Sequence, residues 1–139
     1  MLGFIFQQYN LLPKLNILEN VELPMIYAGM SKNERMERAK EMLEKVGLGN
    51  RMYHYPNQMS GGQQQRVAIA RALASKAPVI LADEPTGNLD ENTADEIITI
   101  LKKMAKERNK CVIVVTHSKQ LAQSADVVLE LKDKKLQIV

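Results

Sequence analysis

The chain has 139 residues, of which 45% are hydrophobic and 25% charged, with a single cysteine. That balance suits one globular domain with a moderate core and excludes a disordered or disulfide-stapled chain. The net charge of +3 is carried by interspersed residues, so a nucleic-acid surface is not expected. No apolar run approaches the roughly 20 residues that span a bilayer, and no signal peptide is visible. Cys111 heads an apolar strand and is expected to be a buried core thiol in a reducing compartment.

Leu2-Gly3-Phe4-Ile5-Phe6 predicts a short apolar strand closed by Gln7. Tyr9 to Pro13 is an apolar loop, because Pro13 discourages helix there. Asn16 with Glu19 offers an N-cap pair for a helix through Ile17, Leu18 and Val21, expected to end or kink near Pro24. Ser31 with Glu34 is a second capping box. It opens an amphipathic helix that buries Met36, Ala39, Met42, Leu43 and Val46 and turns Lys32, Arg35, Arg38 and Lys45 outward. Gly47-Leu48-Gly49-Asn50 stops that helix. His54, with no second ligand nearby, reads as a loop residue.

Ser60-Gly61-Gly62-Gln63 has the form of a third capping box, with two glycines between its polar residues. Backbone N–H groups there face outward with nothing large in front, and the helix dipole adds positive charge, which suits phosphate. Val67, Ala70, Leu73 and Ala74 give the helix a face to bury. After Ala77-Pro78, Val79 to Glu84 reads as a parallel-sheet strand covered on both faces and ending in two carboxylates, Asp83 and Glu84. Paired acids at such a strand end hold Mg²⁺ or move a proton. Pro85-Thr86-Gly87-Asn88 is turn chemistry, and Asp90 caps a helix bearing Ala94, Ile97, Ile98, Leu101, Met104 and Ala105. Cys111 to Thr116 predicts a second buried strand with His117 at its carboxyl end, where ligands gather in open α/β sheets. Ser118 caps a short helix, and a closing hairpin turns at Asp133-Lys134, with Lys132, Lys134 and Lys135 as a solvated basic spot.

In this order the segments resemble the ATP-binding cassette (ABC) ATPases. Met59 to Gln63 resembles that family's signature motif, with Met where Leu is usual. Val79 to Glu84 resembles its Walker B strand, Gly87 to Asp90 its D-loop, and Val114 to His117 its H-loop. The ordered set is far more specific than any one motif. The resemblance implies an α/β fold: a partial P-loop NTPase (RecA-like) parallel sheet with an inserted α-helical subdomain. Residues 1–139 would be a single ATPase domain incomplete at its N-terminus, with about 9–59 as the helical subdomain and 1–8 with 60–139 as the rest of the core.

It further implies ATP hydrolysis with ATP and Mg²⁺. Glu84 would be the general base, Asp83 the Mg²⁺ partner through water, and His117 the contact to the γ-phosphate. Gln7 would be the Q-loop glutamine that meets Mg²⁺ and the attacking water, although only family register separates it from Gln8. Ser60, Gly61, Gly62 and Gln63, with Asp90, would act across a head-to-tail dimer on nucleotide held by a second ATPase subunit. A membrane-spanning transporter subunit would dock near Leu11, Leu12, Met25, Ile26 and Tyr27, holding the protein at the cytoplasmic face of the membrane.

Asn10 to Pro13, Glu19 to Pro24 and Gly87 to Asp90 look most like the lipoprotein-release, macrolide-export and antimicrobial-peptide-export branch. The short helical insertion disfavours a DNA-repair cassette. No Gly-x-x-x-x-Gly-Lys-Ser/Thr occurs, since none of the seven glycines precedes a lysine, and no adenine-stacking aromatic is recognisable. The reading is therefore of an N-terminally truncated cassette, marginally stable, with an exposed strand edge and poor ATP affinity. The alternative is a non-catalytic module that donates its signature helix in trans.

Overall fold

The structure is a computed structural model and describes residues 2–107 and 109–139. Three strands form a parallel sheet in the order β1 (Leu2–Ile5), β2 (Val79–Asp83), β3 (Cys111–Val115), with Phe4, Leu81 and Ile113 in register. Between β1 and β2 the chain makes α1 (Ile17–Tyr27), α2 (Lys32–Lys45), two 3₁₀ turns and α3 (Gly61–Ala74). Between β2 and β3 it makes α4 (Glu91–Glu107). After β3 come α5 (Lys119–Gln123) and an antiparallel hairpin of β4 (Leu129–Lys132) and β5 (Lys135–Ile138).

The caps form largely as the residues dictate. Asn16 and Glu19 exchange hydrogen bonds with each other's backbone N–H at 2.8 and 3.1 Å, and Ser60 and Gln63 do the same at 3.2 and 2.9 Å. At α2 only half the expected box forms, with Ser31 accepting from the Glu34 N–H. Two other expectations are corrected. Helix α1 does not end at Pro24 but continues to Tyr27, with the Ala28 N–H donating to the Pro24 carbonyl. Pro24 cannot donate into the ladder, yet Val21 and Met25 on either side of it are buried, and their packing holds the last turn.

Arg35 and Arg38 do not simply point outward. Arg35 pairs with the mostly buried Glu22 at 3.2 Å, and Arg38 donates to the Leu73 and Ala74 carbonyls at 3.1 and 3.0 Å. Those carbonyls lie in the last turn of α3, where the Leu73 carbonyl has only a long 3.4 Å backbone bond from the Lys76 N–H, so a cation from α2 completes the cap. Arg38 thereby joins two helices.

Helix α3 packs against α1, α2, α4 and β1. The covered face of the sheet carries Gly3, Ile5, Ile80 and Ala82, all buried. The other face carries Leu2, Phe4, Leu81, Ile113 and Val115, with Phe4 at 45%, Ile113 at 46% and Val115 at 63% exposure. This corrects the expectation of strands covered on both faces. It also corrects the buried thiol, because Cys111 alternates onto the open face and is exposed. Among the described residues no strand pairs with the free edge of β3, and β4 pairs only with β5. The expected exposed strand edge is present, at β3. Asp133 and Lys134 both take positive φ at the hairpin turn, the geometry that favours Asn-Gly or Asp-Gly, so Lys134 is accommodated with strain.

Candidate functional site

Parallel strands place their carboxyl ends side by side, and the chemistry-bearing residues gather there. Asp83 ends β2, exposed. Glu84 follows in a left-handed conformation, φ 43°, which an unbranched acid adopts only when its surroundings hold it. Three hydrogen bonds do so. The Glu84 N–H donates to the Val115 carbonyl at 2.8 Å, while its carboxylate accepts from the Thr116 hydroxyl at 3.0 Å and the His117 N–H at 2.7 Å. The His117 imidazole lies 4.0 Å from that carboxylate and is fully exposed. Acid and histidine are thus brought together from adjacent strands.

Gln7 follows β1 and sits against the turn after β2. Its Nε2 donates to Asn88 Oδ1 at 3.4 Å, and Asn88 Nδ2 donates back to the Gln7 carbonyl at 3.2 Å. Gly87 permits this approach, since a Cβ there would lie 2.5 Å from Gln7 Nε2. Tyr9 and Asn10 then turn through positive φ, and Arg71 of α3 donates to both their carbonyls at 3.0 and 2.9 Å. Burial lowers the Arg71 guanidinium from its ordinary value.

The N-terminus of α3 is held between two neighbours. A Cβ on Gly61 would meet the Tyr9 hydroxyl at 2.8 Å, and one on Gly62 would overlap the Thr93 methyl. Both glycines therefore serve close packing as well as access to the backbone N–H groups. Gln63 spends its Oε1 on the Ser60 N–H. Asp90 caps α4, accepting from the Thr93 N–H at 3.2 Å and from its hydroxyl at 2.5 Å. Those bonds, the hydroxyl's first, hold the Asp90 carboxyl below its ordinary value of 3.8. A cavity of about 240 Å³ beside Ser60, Gly62, Gln63 and Thr93 is crossed by the Arg66–Glu96 ion pair. The start of α3 therefore borders an open cavity at Ser60, Gly62 and Gln63.

Asp83 and Gln7 offer hard oxygen donors, which suit a Mg²⁺ that keeps water and phosphate oxygens in its shell. No group of three His, Cys, Asp or Glu among the described residues could hold a metal unaided. The donor set thus fits a nucleotide-borne Mg²⁺ rather than a caged one. Residues that the sequence reading missed are Gln65, Asn20 and Asn88. Gln65 and Asn20 are wholly buried. Gln65 precedes Ala68 and Ile69 by three and four residues, so a polar side chain at core phase was the available signal.

The fold is that of a cassette ATPase, a partial α/β P-loop NTPase fold with a parallel sheet. Residues 1–87 match the ABC transporter family model, and the chain belongs to that family. It is 56% identical over 136 residues to an uncharacterized ABC transporter ATP-binding protein of Thermotoga maritima, covering 98% of this chain and 58% of that protein. It is 54% identical over 131 residues to the macrolide export ATP-binding/permease protein MacB of Aggregatibacter actinomycetemcomitans, covering 94% of this chain and 20% of that protein. Among solved structures, a dimeric post-hydrolysis ATP-binding cassette bound to ADP and Pi superposes with a TM-score of 0.83 at 50% identity, over 98% of this chain and 60% of that one. The chain thus spans about three-fifths of the length of the cassettes it matches. Among the described residues no helix is long and apolar enough to cross a membrane.

Proposed function

We propose that this chain is part of an ATP-hydrolysing subunit of an export transporter of the macrolide-export type, working with a membrane-spanning partner at the cytoplasmic face. The observation that carries the reading is the Glu84 carboxylate held at the end of β2 by Thr116 and His117, which follow β3. On this reading residues 9–59 form the helical subdomain and the remainder belongs to the ATPase core. Glu84 takes the proton of the attacking water, Gln7 orients that water, and His117 contacts the γ-phosphate. Asp83 and Gln7 would hold Mg²⁺, which when bound neutralises phosphate charge. Ser60 to Gln63, with Asp90, face nucleotide on a second, head-to-tail subunit, where a helix N-terminus favours the anion.

The 139 residues contain no Gly-x-x-x-x-Gly-Lys, so they supply the acids and the signature helix but not the cradle for the phosphates. A second reading, a module that donates the α3 N-terminus in trans without hydrolysing ATP itself, is favoured by the same observation. Calorimetry and phosphate release with Mg²⁺ and ATP test both, beside Glu84→Gln. The purified chain alone is expected to show neither binding nor turnover. Turnover that Glu84→Gln lowers by about 100-fold or more would overturn the need for an outside cradle.

A further inference from the structure

Three segments that the proposed chemistry needs in one geometry come from distant parts of the chain: the residue before Gln7, the residue after Glu84, and the helix that starts at Gly61. One side chain touches all three. Gln65 lies wholly buried in the second turn of α3. Its Nε2 donates to the Pro85 carbonyl at 2.6 Å and to the Phe6 carbonyl at 3.3 Å. Both partners are carbonyls, so only the amide nitrogen, with its two hydrogens, can serve them. Its Oε1 is buried and has no partner among the described residues. An orphaned amide oxygen is unfavourable in a core, and a leucine or methionine at this phase of the helix would avoid it. The polar residue is therefore explained by what it donates to, not by how it packs.

We propose that Gln65 is a positioning residue that ties the ends of β1 and β2 to α3, so that Gln7 and Glu84 move with the helix whose N-terminus faces nucleotide. The proposal rests on the roles given above to Gln7 and Glu84. Phe6 immediately precedes Gln7 and Pro85 immediately follows Glu84, so each bond acts one residue from a chemical group. The Gln7–Asn88 exchange closes the same two segments from the solvent side. A displacement of α3 is thereby passed to both strand ends through one amide.

The test is amide hydrogen exchange on the full chain without nucleotide, so its failure is distinct from failure of the catalytic reading. The Tyr9, Gly87 and Leu89 N–H groups, bonded to the Phe6, Glu84 and Thr86 carbonyls, report the two segments. Gln65→Met keeps the length and removes the donor. Protection at both segments is expected to fall by about 5- to 100-fold, while Val46 and Leu48 change little. Met42→Ala, a remote core variant, should instead lower all of them together. Gln65→Glu should regain protection at one of the two segments as the pH is lowered, because the protonated acid carries a single O–H donor and the carboxylate none. A uniform loss in Gln65→Met, a loss in Gln65→Met at one segment only, no regain at either segment in Gln65→Glu at low pH, or reporters that exchange in the unaltered chain as fast as free peptide would each overturn the tie.

Discussion

Glu84 shows how a single residue's conformation is set by its neighbours. A left-handed φ on a non-glycine costs of order 1–3 kcal/mol, a sum that one hydrogen bond of about 1 kcal/mol does not offset but three can. Thr116 and His117 are therefore needed for Glu84 to stand where it does. Asp90 is the residue for which pH gives a direct reading. Its carboxyl is lowered by Thr93, so the cap it forms is complete above its ordinary 3.8 and is lost as pH falls through the lower folded value. The acid sensitivity of the start of α4 thus lies below 3.8. An NMR titration should place the Asp90 midpoint under that value, and Thr93→Val should move it upward. An unmoved midpoint in the variant would mean that Thr93 does not set it. The sequence made Asp90 legible as a cap, since Asp before a periodic run is a start signal. It did not reveal Thr93, because one more hydroxyl in a helix's first turn has many possible partners.

Among the elements, α1 shows what holds a helix to its preceding loop. Asn20 is fully buried, accepts from the Leu12 N–H at 2.8 Å, and donates to the Leu12, Leu15 and Asn16 carbonyls at 3.0 to 3.2 Å. The apolar loop after Gln7 is thus wound around one amide. Asn20→Leu preserves volume but removes the partner of the part-buried Leu12 N–H and of the Leu12, Leu15 and Asn16 carbonyls, a cost of about 1–3 kcal/mol that added apolar burial only partly offsets. Urea unfolding should show that loss, with faster exchange confined to Leu12 and Leu15. Full stability in the variant would mean that water replaces the amide. The helices and their caps were legible in the sequence because they rest on local spacing. The roles of Arg38 and Arg71 were not, since each donates to carbonyls more than thirty residues away in the chain.

For the whole molecule the governing feature is the open sheet face. Phe4, Ile113 and Val115 form an apolar surface where α/β sheets are ordinarily covered, and the β3 edge beside it has no partner among the described residues. Such a face favours association of the isolated chain. Val115→Lys, which removes apolar surface without touching the covered core, should reduce association in sedimentation while leaving the unfolding midpoint nearly unchanged. Ile80→Ala, on the covered face, should cost about 2–5 kcal/mol. Equal association of Val115→Lys and the parent chain would locate the contact elsewhere, with the exposed hairpin residues Leu131 and Ile138 as the next candidates.

The sequence by itself determined the family, the helix starts and the polar residues that follow the strands. These follow from local periodicity, capping chemistry and ordered motifs, all of which act over a few residues. Tertiary structure alone decided which face of the sheet is covered, that Cys111 is exposed, that Arg38 caps another helix, and that Gln65 joins two strand ends. Each of those depends on what lies across space from a side chain. An apolar strand reads the same whether one of its faces is covered or both.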